Sequence, residues 1–204
     1  EDIVELQQFS QWIFSMFGAH AAQQRIVYQF DYQASVSTHI KIDKNKIEKV
    51  LINLLGNAMK FTPAGQSVIF RVLEVGQSIH FVVEDTGKGI AAKDLPHIFD
   101  RFYQPAQNTA GGTGIGLALS NEFAVLMKGE LLVESEEQRG SRFTFCIPRH
   151  NAKPENIKLP ASDKNLLLGA TQNGEQEALS ATQNASVLVV EDNQDMRFFI
   201  QSLL

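Results

Sequence analysis

Asn53-Leu54-Leu55-Gly56-Asn57-Ala58-Met59-Lys60-Phe61-Thr62 is the stretch that decides the fold. With Ile47, Val50 and Leu51 before it, the apolar residues Leu54, Leu55 and Ala58 recur at spacings of three and four. That period predicts a helix with one core-facing stripe. Asp43 precedes the helix as an N-cap, and Thr62-Pro63-Ala64-Gly65 ends it. Asn53, Asn57 and Lys60 share one flank, about 100° round from the stripe. Asparagine inside a helix costs propensity relative to alanine. Two carboxamide oxygens and an ammonium there suit a hard cation and a phosphate. Taken alone, they suit a solvated polar face better.

Downstream, residues 67–75 and 78–84 alternate Val68, Phe70, Val72 with Ile79, Phe81, Val83 around Gly76-Gln77, which predicts a hairpin with one buried face. Asp85-Thr86-Gly87-Lys88-Gly89 follows. A carboxylate at a strand end can accept a hydrogen bond from an exocyclic amine, and glycines let backbone approach a flat ring. An ordinary tight turn is the plain alternative. Residues 91–103 read as one or two short helices, and residues 104–116 as loop. Gly112-Thr113-Gly114-Ile115-Gly116-Leu117 then opens a helix to Lys128, with Leu119, Phe123 and Leu126 on one side. Backbone N–H groups at such a start suit an anion. It is neither a dinucleotide fingerprint, for lack of a strand directly before it, nor a Walker loop, for lack of a closing Gly-Lys-Ser/Thr. Strands are expected at residues 130–135 and 141–147.

Upstream, residues 1–24 read as one helix with a broad apolar face (Leu6, Phe9, Trp12, Ile13, Phe14), and residues 25–30 as a strand. Trp12 and Phe14 exceed what one stripe requires, which predicts a partner over them. The order of elements predicts an α/β two-layer sandwich: a mixed, mostly antiparallel sheet covered by helices on one face.

Composition excludes several classes. The chain has 204 residues, 44% hydrophobic and 20% charged, with a formal net charge of -5. That balance argues against nucleic-acid binding by this domain. No run approaches the roughly 20 apolar residues of a membrane span, and no secretion signal opens the sequence. One cysteine, Cys146, excludes an intrachain disulfide and reads as a strand residue. A cytoplasmic setting fits. Residues 150–185, rich in Asn, Gln, Ser, Ala and Glu, read as a linker. Val187-Leu188-Val189-Val190, Glu191-Asp192 and an apparent helix from Met196 read as the start of a second domain.

Together these elements resemble the catalytic ATP-binding domain of sensor histidine kinases, a Bergerat fold of the GHKL superfamily. Residues 53–62 look like its N box, Asp85 to Gly89 its G1 box, Phe99-Asp100-Arg101-Phe102-Tyr103 its F box, Gly112 to Leu117 its G2 box, and Gly140-Ser141-Arg142-Phe143 its last glycine element. The resemblance covers residues 1–149. It implies ATP and Mg²⁺ as cofactors, with Asn57 as the main metal ligand and Asn53 beside it, and a phosphate contact from Lys60. It implies an adenine site at Phe61, Asp85, Gly87, Gly89 and Ile90. It further implies a phosphate cradle at Thr113, Gly114, Ile115, Gly116 and Leu117, under a lid of residues 104–113 anchored by Phe99 and Phe102. Arg101 would approach the phosphates. Gln104 stands where many relatives carry a basic residue.

By the same resemblance residues 1–24 are the end of the second helix of the dimerisation and phosphoacceptor hairpin, residues 25–149 the ATP-binding domain, and residues 186–204 the start of a receiver domain, as in a hybrid kinase. The phosphoacceptor would be a histidine upstream, since none of His20, His39, His80, His97 and His150 has the acceptor context. The expected partners are that histidine, a receiver aspartate and a second subunit. The full-length protein could be anchored in the inner membrane. Hydrolytic relatives carry a glutamate general base at the place of Asn53, which an amide cannot replace. A non-catalytic nucleotide-sensing or partner-binding module of the same fold is the alternative.

Overall fold

The computed structural model describes residues 2–34, 39–105 and 113–149. The expected linker and receiver start, and residues 106–112 of the expected lid, lie outside the described residues.

The long helix forms as its period predicts: α3 (Lys44–Phe61) buries Ile47, Val50, Leu51, Leu54, Leu55, Ala58 and Met59. The Asp43 carboxylate accepts the Lys46 N–H at 3.1 Å and caps it. The stripe lies on a five-stranded sheet of β2 (Val27–Gln33), β4 (Ser67–Val75), β5 (Ser78–Asp85), β7 (Gly140–Pro148) and β6 (Glu130–Glu136), in that spatial order. Only β2 and β4 are parallel, and the other pairs are antiparallel. Inward residues Phe70, Phe81 and Phe145 are fully buried, each contributing on the order of 2–3 kcal/mol. The opposite face carries a row of charge. Arg71 and Arg142 both bond Glu84, at 2.5 and 3.0 Å. Burial pushes the Glu84 carboxyl up, but the two guanidinium groups outweigh it and hold it below its ordinary range. One face takes helices and the other takes ion pairs, so the two-layer sandwich holds.

The reading of residues 1–24 is corrected. They form β1 (Asp2–Glu5), α1 (Leu6–Met16) and α2 (Gly18–Gln24). β1 pairs antiparallel with β3 (His39–Ile42), a strand too short to announce itself by alternation. Glu5 caps α1 by accepting the N–H groups of Gln7 and Gln8. Leu6, Phe9 and Ile13 are buried in the same core as α3, so this segment is a layer of the ATP-binding fold and not the tail of a separate hairpin. Phe14 stacks on Tyr28 at 4.2 Å and packs on Phe30, so the sheet's own edge strand covers it. Trp12 stays 44% exposed, with the Lys44 ammonium 5.3 Å from its ring.

Between residues 91 and 103 the only regular element is a 3₁₀ turn, Leu95–His97. The last helix, α4, spans Gly116–Leu126. Its buried residues are Ala118, Ser120 and Ala124; Phe123 packs on the core from a half-buried position, while Leu119 and Leu126 face out. Small residues face inward because α4 lies close against α3. Cys146 is a buried free thiol in β7, as expected.

Candidate functional site

The polar flank of α3 faces the other glycine-rich elements. Asn53, Asn57, Lys60 and Phe61 are all half-buried. At the C-terminal end of the helix, the Phe61 carbonyl accepts the Lys88 N–H at 3.2 Å. The Lys88 and Lys60 ammonium groups lie 4.3 and 5.4 Å from the Phe61 ring, so two cations approach the aromatic. The turn after β5 is thereby fastened to the helix that carries the asparagines.

Asp85 ends β5 and is only 7% exposed. Its Oδ1 accepts the Gly87 N–H at 2.8 Å. Burial raises its carboxyl above the ordinary range, against the lowering effect of N–H donation by Gly87 and Ser141. Gly89 lies against the backbone of Glu136, and Ile90 N–H donates to Ser135 Oγ at 2.8 Å. The turn is thus held from two sides, by α3 and by the β6–β7 hairpin.

α4 closes the other side. Asn53 Nδ2 donates to Ser120 Oγ at 2.9 Å. A Cβ on Gly116 would stand 2.3 Å from Asn53 Oδ1, so only glycine lets the start of α4 approach that amide. No side chain caps α4, which leaves its first N–H groups for solvent or an anion. Gly114 accepts the Phe102 N–H at 2.9 Å, joining the expected F and G2 boxes through backbone. Thr113 and Ile115 are exposed, and Leu117 packs on the core.

Two expected roles shift. Phe102 is 71% exposed with φ 65°, so its backbone and not its ring holds Gly114. Phe99 does pack on the core. Arg101 Nε and Nη2 both bond Glu122 of α4, at 3.0 and 2.6 Å, so this cation is paired on α4. Sequence reasoning passed over Ser120, and it held Lys88 and Ser141 only as members of the stretches 85–89 and 140–143, with no role of their own. A small hydroxyl residue inside the apolar run of α4 was the available signal for Ser120.

The family model described as histidine kinase-, DNA gyrase B-, and HSP90-like ATPase matches residues 42–151. The chain belongs to this ATPase family. Within it, the chain is 33% identical over 201 residues to the circadian input-output histidine kinase CikA of Synechocystis, covering 94% of this chain and 24% of that protein. It is 37% identical over 115 residues to the sensor histidine kinase WalK of Bacillus subtilis, covering 54% and 19%. The crystal structure of full-length ShkA in complex with AMPPNP superposes with a TM-score of 0.67 at 26% identity, over 74% of this chain and 31% of that one. The chain spans no more than about a quarter of the length of the curated relatives it matches. The fold of this ATPase-family domain is that of a histidine kinase catalytic domain. Among the described residues no helix is long and apolar enough to cross a membrane.

Proposed function

We propose that this chain is the ATP-binding catalytic region of a sensor histidine kinase, which presents the γ-phosphate of ATP to a histidine on a helical hairpin upstream. The observation that carries the reading is the convergence of three elements. The Asn53–Asn57–Lys60 flank of α3, the Asp85 turn and the uncapped start of α4 meet through the Phe61–Lys88 and Asn53–Ser120 hydrogen bonds. Asp85 reads the adenine amine, with Phe61, Gly87, Gly89 and Ile90 around the base. Lys60 and the N–H groups of residues 113–117 receive the phosphates.

The donor set suits Mg²⁺. Asn57 and Asn53 offer amide oxygens, and Asn53, whose nitrogen is already given to Ser120, keeps its oxygen as an acceptor. A hard cation that keeps waters and takes phosphate oxygens fits one or two such ligands. Bound there, Mg²⁺ supplies charge compensation on the phosphates. An imidazole nitrogen then forms the bond to the γ-phosphorus as the bond to the β–γ bridging oxygen breaks, and ADP leaves. Asn53 cannot deprotonate water, which favours transfer to histidine over hydrolysis.

The partners follow from that chemistry: the hairpin histidine of the same or a second subunit, and a receiver aspartate. Ile115, Leu119 and Leu126 form an exposed apolar stripe along α4 beside Phe102, and they support docking of the hairpin there. The sequence of residues 186–204 supports a receiver following in the same protein. Calorimetric titration of the chain with AMPPNP, with and without Mg²⁺, tests the reading. Saturable, Mg²⁺-dependent binding is expected, and a folded sample that binds neither AMPPNP nor ATP overturns it. Restoring the upstream hairpin then tests phosphotransfer.

A further inference from the structure

Ser135 of β6 and Ser141 of β7 face each other in register, with their hydroxyl oxygens 2.9 Å apart. Ser135 Oγ has two other partners. It accepts the Ile90 N–H at 2.8 Å and lies 2.8 Å from the Gly140 carbonyl oxygen. A carbonyl oxygen can only accept, so Ser135 donates its single proton to Gly140. Its proton is then spent, and the Ser135–Ser141 bond requires Ser141 to donate. The polarity of the chain is therefore settled: Ser141 to Ser135 to Gly140. Ser141 keeps only lone pairs to offer elsewhere.

Ser141 is the register partner of Asp85 across β5 and β7, is 8% exposed, and gives its N–H to the Asp85 carboxylate. Register therefore places two acceptors on paired positions of β5 and β7: the carboxylate of Asp85 and the hydroxyl oxygen of Ser141. No second donor from the serine is available to balance them.

We infer that Ser135 is a specificity-determining positioning residue, which by fixing the Ser141 hydroxyl as an acceptor makes the Asp85 pocket select a purine with an exocyclic amine at position 6 and reject one with a carbonyl there. The inference rests on the adenine site proposed above. An amine at that position gives its protons to acceptors. Guanine places a carbonyl oxygen against them, leaving buried acceptors without donors, and sites built on buried hydrogen bonds discriminate strongly on that ground. Removing the Ser135 hydroxyl frees the Ser141 proton to turn toward a carbonyl.

The test is calorimetric titration of the full chain with AMPPNP and with its guanosine counterpart, for the wild type, Ser135→Ala, Ser135→Thr and Ser141→Ala. The wild type is expected to prefer the adenosine analogue. Ser135→Ala lowers that preference about tenfold, chiefly by gaining affinity for the guanosine analogue. Ser135→Thr, which keeps the hydroxyl, retains it. Ser141→Ala loses it to the same extent, and Ser135→Ala combined with Ser141→Ala loses no more. Equal weakening of both analogues in Ser135→Ala marks a merely structural role and overturns the inference, as does an unchanged preference in either alanine variant. If Ser135→Ala does not fold, Ser141→Ala alone decides. A folded wild type that binds neither analogue overturns the nucleotide site itself and this inference with it, whereas wild-type binding without base preference overturns only the inference.

Discussion

Asn53 donates from its amide nitrogen to the hydroxyl of Ser120 across the α3–α4 contact, and its amide oxygen lies 2.3 Å from where a Cβ on Gly116 would be. One side chain therefore ties the site helix to the helix whose first turn would hold phosphate. Ser120→Ala leaves the Asn53 donor unpaired beside a residue only 2% exposed. A loss of about 1 kcal/mol in stability is expected, seen in urea unfolding. AMPPNP affinity should fall as well, because the Asn53 amide loses its orientation.

Asn57 is half-buried on the polar flank and belongs to no core cluster. Asn57→Ala should leave the melting temperature nearly unchanged and weaken Mg²⁺-dependent AMPPNP binding about tenfold. Titration in Mg²⁺ and in a chelator separates the two effects. Equal affinities of wild type and variant in Mg²⁺ would remove Asn57 from the metal site.

Asp85 makes stability depend on pH in a definite direction. Its carboxyl titrates higher in the folded protein than in the unfolded chain, chiefly through burial. The native state therefore binds more protons in that window, and stability conferred by the protonated form is lost as pH rises through the folded value. Asp85→Asn removes this dependence. Thermal unfolding of the nucleotide-free protein from about pH 4 to pH 7 should show a smaller decline for the variant, together with weakened AMPPNP binding.

Gly140 adopts φ 108°, and a Cβ there would stand 1.9 Å from the Asp85 carbonyl oxygen. Gly140→Ala combines backbone strain with a clash against main chain. The expected cost is about 3 kcal/mol, or a fall in Tm of roughly 6–12 °C by calorimetry.

The Arg101–Glu122 pair is largely exposed, so breaking it should cost less than about 1 kcal/mol. Glu122→Ala releases the guanidinium. If Arg101 reaches phosphate, that variant binds AMPPNP at least as tightly as the wild type while Arg101→Ala binds more weakly. Identical affinities in all three would assign the cation to holding α4 alone.

The local signals in the sequence were sufficient for much of this protein. The apolar period of residues 47–58, the Asp43 cap and the alternation either side of Gly76 each report on neighbours a few residues apart, and α3 and the β4–β5 hairpin follow. The order of polar and glycine-rich elements pointed to the same family that the matched model describes. The four-residue strands β1 and β3 were not legible, because neither holds a pattern long enough to distinguish a strand and their pairing joins residues nearly forty positions apart. The inward face of α4 was not legible either. Apolar bulk suggested Leu119 and Leu126, but the close approach of α3 admits only Ala118, Ser120 and Ala124. Sequence by itself determined which residues could do the chemistry. Tertiary structure decided which hydroxyl holds which amide, because such partners are chosen by distance in space, and a separation of 67 positions between Asn53 and Ser120 leaves no local trace of it.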